Sequence, residues 1–174
     1  MNKKEIITIL ENKHLELFDW LEKQSIEKWE QAVEGKWTSG QHILHLTNSI
    51  KLLNTTLKTP KFVLKRKFGI CNRKVRSYEE VAKRYDERLA ESRDKAALFN
   101  KNLKIPSKKE KDRLIITLQI QNKKLQYKTN KWSDIHLDTL LIPHPLMGRM
   151  TVREIIMWTA CHTAHHTHIL KEKY

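Results

Sequence analysis

A chain of 174 residues with 34 Lys+Arg against 20 Asp+Glu, a formal net charge of +14, is long enough to bury one real core. Its 39% hydrophobic residues make it too apolar for disorder, yet no apolar run approaches the roughly 20 residues of a membrane helix. Two cysteines, Cys71 and Cys161, exclude a disulfide framework, and the start Met1-Asn2-Lys3-Lys4-Glu5 lacks the apolar stretch of a secretory signal, so one cytoplasmic domain over 1–174 with no membrane contact is expected.

Only four Gly and four Pro occur, which favours helix over sheet. The first helix is predicted from about Lys3 to Lys23, with Ile6, Ile9, Leu10, Leu17 and Leu21 as its stripe and Phe18 and Trp20 widening it. It needs no capping box. A short piece around Ile26, Trp29 and Val33 leads to Gly35. Thr38 with Gln41 then forms a capping box, opening a helix from about Ser39 to Leu57 with Ile43, Leu46, Ile50 and Leu53 at helical spacing.

The stretch from Thr59 to Arg76, with Pro60 and Gly69, breaks the pattern and reads as a long loop. From Lys58 to Arg76 it holds eight Lys or Arg and no acid. A solvated basic surface is the simpler reading, ahead of a phosphate or nucleic-acid contact. No zinc-finger, RRM or basic-zipper signature supports the latter, and Phe62 and Phe68 make a poor stacking platform.

Ser77 with Glu80 opens a helix of about Tyr78 to Asn102, whose inner face is Val81, Tyr85, Leu89 and Ala96. Ser107 with Glu110 opens another, about Lys108 to Thr129, carrying Leu114, Ile115, Leu118 and Leu125. Leu114 to Ile120 would also suit a strand, in a short hairpin with Leu125 to Thr129, but no second clear strand is present to pair with. Turn formers follow at Pro143-His144-Pro145 and Gly148, and Thr151 with Glu154 opens a final helix from Val152 to about Lys171. The pattern is an all-α bundle with one long crossover loop, a type whose core hosts metal ligands readily. Trp29, Trp37, Trp132 and Trp158 are read as core or helix-interface residues rather than a substrate cage.

The final helix carries His162-Thr163-Ala164-His165-His166-Thr167-His168, four of nine histidines in seven residues. His162 and His166 stand four apart, so they share one helical face and can reach one metal ion. Catalytic zinc-type sites use three protein ligands and keep one position open, so a third should come from a facing helix. His42 and His45 lie on the helix opened by Thr38, and His45 shares a polar stripe with Gln41, Asn48 and Ser49. Cys161 and His165 are also four apart and form a competing pair, but the face shared with Ile155, Trp158 and Ile169 favours His162 and His166 pointing inward.

Trp37-Thr38-Ser39-Gly40-Gln41-His42-Ile43-Leu44-His45-Leu46 resembles the start of the second helix in the DinB-like (DinB/YfiT-like) proteins. Gly148, Thr151 and Glu154 followed by His162-x-x-His165-His166 resemble that family's last helix. The resemblance implies a four-helix bundle with a three-histidine site, whose metal ligands carry over as His45, His162 and His166. It implies a divalent transition metal, zinc or nickel first and manganese or iron next, and a possible homodimer. It also implies a metal-dependent hydrolase or thiol transferase acting on a small molecule, with a low-molecular-weight thiol as co-substrate. Where the family often has Gln three residues after the last ligand, this chain has Ile169.

Three neutral imidazoles leave an ion its positive charge and an open position, which suits activation of water or a thiol. No separate general base has a motif. Asn48, Glu154, Thr159 and His165 are candidates to orient the ligands, Glu154 being more simply the capping acid of Thr151; His144 is a loop residue that could border the pocket. A metal-binding bundle without catalysis is the alternative function, and a nucleic-acid-associated protein using the +14 charge is the third.

Overall fold

The computed structural model describes residues 1–33, 36–91 and 103–174. Helix α1 spans Lys3–Glu22 and begins with a capping box that the sequence reading passed over. The Asn2 side chain accepts from the Glu5 N–H at 3.0 Å, and the Glu5 carboxylate accepts from the Asn2 N–H at 2.8 Å. A 3-10 turn, Ile26–Trp29, leads to α2, Ser39–Thr56, where Thr38 and Gln41 exchange the expected pair of bonds. Gly40 is required there: a Cβ on it would meet the Trp29 carbonyl oxygen at 2.8 Å and the Trp29 ring at 2.9 Å.

The basic stretch is not a loop throughout. Helix α3, Lys61–Phe68, occupies its first half, docking through Leu64 alone as a fully buried residue, and ends at Gly69. Its lysines face solvent, so it lacked the apolar stripe that marks a helix in sequence. Helix α4, Tyr78–Glu91, starts at the Ser77–Glu80 box and buries Val81 and Tyr85. The expected run of this helix to Asn102 falls on residues 92–102, outside those described.

Helix α5, Lys111–Lys131, follows a 3-10 turn at Lys108–Glu110 that carries the Ser107–Glu110 box. Leu118, Asn122, Leu125 and Thr129 are its buried face, a helical spacing that excludes the strand and hairpin considered for Leu114–Thr129. The region expected as a turn-rich loop holds more structure. Helix α6, Asp134–Thr139, precedes strands β1, Leu141–His144, and β2, Gly148–Thr151. The strands pair antiparallel, Leu141 opposite Thr151 and His144 opposite Gly148, and Gly148 takes a φ of +73° that a side chain would strain.

Helix α7, Val152–Lys173, starts at the Thr151–Glu154 box and is the central element. It packs against α1 and α4 and touches α2, while α5 packs against α1 and α2. The result is a mostly helical bundle of α1, α2, α5 and α7 flanked by α4, with a small hairpin at one end. Among the described residues, no helix is long and apolar enough to cross a membrane.

All twelve residues from Val152 to Thr163 are buried, so the polar ones among them must find partners inside the protein. Arg153 pairs with Asp134 at 2.6 Å and with Asp138. Glu154 accepts from both Arg73 guanidinium nitrogens at 2.6 and 2.8 Å, from Arg76 at 3.2 Å and from the Arg76 N–H at 2.9 Å. Thr159 and Thr163 donate back to the carbonyls of Ile155 and Thr159. His162, and His166 on the next turn, turn to other histidines instead.

Candidate metal centre

Three imidazoles from two helices converge on one point. His162 Nε2 lies 3.0 Å from His45 Nε2 and 3.0 Å from His166 Nε2, and one nitrogen from each ring lies within 4.8 Å of the others. Helix α7 supplies the His162–His166 pair through its four-residue spacing, and α2 supplies His45 because its N-terminus is pinned by the Thr38 box against Trp29. Among the described residues this is the group of His, Cys, Asp or Glu side chains arranged to hold an ion.

The donor set fits a divalent transition metal. Tetrahedral ligation at about 2.0–2.1 Å requires nitrogens about 3.3 Å apart, close to the separations found. Burial above all, and then the neighbouring imidazoles, hold His162 and His166 well below the usual histidine range, so both are neutral and keep a lone pair to offer. No carboxylate joins the group, so an ion here would keep its full charge.

A fourth histidine stands behind His166. His42, buried on α2, has its Nδ1 2.7 Å from the Nδ1 of His166. One of these nitrogens carries the hydrogen and the other accepts it. Burial first, then His45 and His165, push His42 down to about 4, so its ring is neutral; were His166 Nε2 to hold an ion, its hydrogen would sit on Nδ1 and His42 Nδ1 would accept it. Sequence reasoning placed His42 on this helix and gave it no role; its three-residue offset from His45 was the available signal.

The other candidates divide clearly. Thr159 is bonded back to its own helix and Glu154 to Arg73 and Arg76, so neither orients a ligand. Burial would raise the Glu154 carboxyl, but Arg73 and the N–H groups of Arg76 and Thr151 hold it below the usual range. Asn48 and His165 line the cavity beside the group. Cys161 and His165 do not come together as ligands with His45: the buried Cys161 thiol is pushed up to about 11, and His165 meets the Tyr85 ring edge-on at 5.6 Å. His168 is exposed and pairs with Glu172, as a surface residue should.

Above the three nitrogens opens a cavity of about 640 Å³. Trp29, Trp132 and Trp158 are core residues as expected and the half-buried Trp37 lies between helices, while Trp37 and Trp158 also line the cavity. Trp37 stacks on His166 with rings 6.1 Å apart and 4° from parallel, and its carbonyl accepts from the Tyr174 hydroxyl. Trp158 stacks on His162 at 4.5 Å and 19°. His162 Nδ1 has no hydrogen-bond partner among the described residues; the Trp158 ring covers it. His144, from the hairpin, meets Trp158 at 4.2 Å and borders the same cavity.

The profile of the DinB superfamily matches residues 10–170. The chain belongs to the DinB superfamily. That match covers α2 and nearly all of α7, so it takes in all three convergent histidines of this DinB-superfamily chain. No curated protein and no solved structure gives a significant match.

Proposed function

We propose that this DinB-superfamily protein binds one divalent transition metal through His45, His162 and His166 and acts on a small molecule held in the cavity above them. The observation that carries the reading is the convergence of three ε nitrogens, 3.0 Å apart in two pairs, at the base of a 640 Å³ cavity. An ion there would supply Lewis acidity for hydrolysis or for transfer of a thiol. Zinc and nickel suit an all-imidazole set of this size best.

The residues of this chain would do the rest. His42 accepts the Nδ1–H of His166 and so directs its Nε2 toward the centre. Trp37 and Trp158 shield the two α7 imidazoles from bulk water. Tyr85 and His165 close the side toward α4. A nucleic-acid role is less well supported, because Arg73 and Arg76 of the basic stretch are committed to Glu154. Pairing of two copies draws support from Leu15, Ile116, Ile120 and Tyr127, which expose apolar surface on α1 and α5.

Metal analysis after gentle purification and reconstitution tests the reading. Wild type should carry about one equivalent, and His45→Ala and His166→Ala should carry none. A metal-loaded protein that turns over no electrophile or ester in a thiol-dependence screen would instead favour a binding bundle without catalysis.

A further inference from the structure

We propose that the cavity takes an uncharged, largely apolar small molecule and that His144 Nε2–H donates a hydrogen bond to an acceptor on it. This rests on the reading of the cavity as the substrate chamber of the histidine site, and it narrows the class of substrate.

The described walls of the cavity carry no ionised side chain. Among the described residues that line the cavity there is no Lys, Arg, Asp or Glu, although the chain carries 34 Lys+Arg and 20 Asp+Glu. Leu52, Leu89, Ile142 and Pro143 supply aliphatic surface, and Trp37 and Trp158 supply aromatic faces. Away from the three histidines at its base, where a bound ion would carry charge, an ionised group on the ligand would lose its hydration and meet no charged side chain among the described lining residues. The +14 charge draws anions toward the protein but places no Lys or Arg among the described residues that line this chamber.

The hairpin turn fixes the tautomer of His144. Its Nδ1 accepts from the N–H groups of Leu146 and Met147, both at 3.1 Å. A ring nitrogen that accepts carries no hydrogen, so the neutral ring bears its hydrogen on Nε2. The clasp is made by the turn that ends at Gly148, so the turn fixes the direction of the ring. With Nδ1 facing the turn, the donor edge faces the other way, on a ring that borders the cavity and packs on Trp158. Trp158 in turn stacks on His162, which puts a fixed donor on the same wall as a candidate metal ligand.

The test uses two fluorescent probes of similar size in physiological salt. One is 6-propionyl-2-dimethylaminonaphthalene, uncharged, whose emission moves to the red when its ketone accepts a hydrogen bond. The other is 8-anilinonaphthalene-1-sulfonate, an anion. Wild type should bind the ketone with one-to-one stoichiometry and at least tenfold more tightly than the sulfonate. His144→Asn places an amide oxygen where Nδ1 stands, keeping the clasp while removing the donor. His144→Gln places an amide N–H where Nε2–H stands, keeping the donor while loosening the clasp.

The Asn variant should weaken ketone binding about five- to tenfold, the worth of one hydrogen bond, and shift its emission to the blue. The Gln variant should stay within about twofold of wild type. The reverse order would make His144 a turn residue only and overturn the assignment of the donor. Equal or tighter binding of the sulfonate would overturn the assignment of an uncharged ligand. Metal stoichiometry on the same samples keeps the two readings apart. One equivalent of metal without probe discrimination defeats this inference alone, and discrimination without metal defeats the metal centre alone.

Discussion

His42 Nδ1 sits 2.7 Å from His166 Nδ1, so one of the three convergent imidazoles is aimed by a histidine from the facing helix. A neutral imidazole makes a weaker acceptor than the carboxylate that often backs a metal-bound histidine. It also adds no negative charge near the centre. His42→Phe keeps the ring volume and removes the acceptor. Metal affinity should fall about 10- to 100-fold while the stoichiometry stays at one, as read by competition with a chelator. Unchanged affinity would leave His42 a packing residue.

Glu154 ties three parts of the chain together: the start of α7, Arg73 and Arg76. Its carboxyl is fully buried, whereas the two arginine side chains are 33% and 27% exposed. Glu154→Gln should therefore cost about 3 kcal/mol in urea unfolding, below the worst case for a buried pair because water still reaches the cations. Arg73→Ala should cost less, since Arg76 and two backbone N–H groups remain on the carboxylate. The Glu154 pKa is held below its unfolded value, so its contribution is present above about pH 4.5 and fades as pH falls through the lower folded value.

His14 is a second buried titratable group, held neutral where Glu154 is held charged. Its Nδ1–H donates to the Leu10 carbonyl at 2.8 Å, Nε2 has no partner among the described residues, and burial pushes its pKa from 6.5 to about 4. The unfolded chain then binds a proton that the native state refuses. Stability falls as pH drops from about 6.5 to about 4, by an amount on the order of 3 kcal/mol for this residue. His14→Leu should flatten that part of the stability–pH curve for metal-free protein, leaving the slope from the other buried histidines. An identical curve would show that His14 titrates normally.

Gly40 is a steric requirement at the head of α2, the helix that carries His42 and His45. Gly40→Ala drives a methyl group into the backbone oxygen and ring of Trp29. The expected cost is about 1–3 kcal/mol, typical of overpacking, with a shift in tryptophan emission. Near-wild-type stability with unchanged emission would mean that the 3-10 turn yields freely.

The helix starts were legible because a capping box is local chemistry: all four Ser/Thr boxes formed, and only the Asn2–Glu5 box escaped, its cap being Asn. The convergent histidines were legible for a related reason, since His162 and His166 declare a shared face by spacing alone. His45 stood out from His42 by the polar stripe it shares with Gln41, Asn48 and Ser49, and the resemblance then named it a ligand. Features that depend on tertiary context were not legible. Helix α3 buries only Leu64, so its sequence shows charge rather than periodicity. The β1–β2 hairpin is four residues a side with Pro143 in it, too short for alternation to register. Trp37 read as a core or helix-interface residue by type, and only the packing against His166 puts it at the cavity as well.

Cobalt(II) titration of metal-free protein, followed by visible absorption, reads directly whether His45, His162 and His166 hold one ion. Absorption should saturate at one equivalent in wild type and in Cys161→Ala, with the signal lost in His45→Ala, His162→Ala and His166→Ala. Saturable uptake that survives His45→Ala but is abolished by Cys161→Ala, or no stoichiometric uptake by wild type, would contradict the three-histidine site.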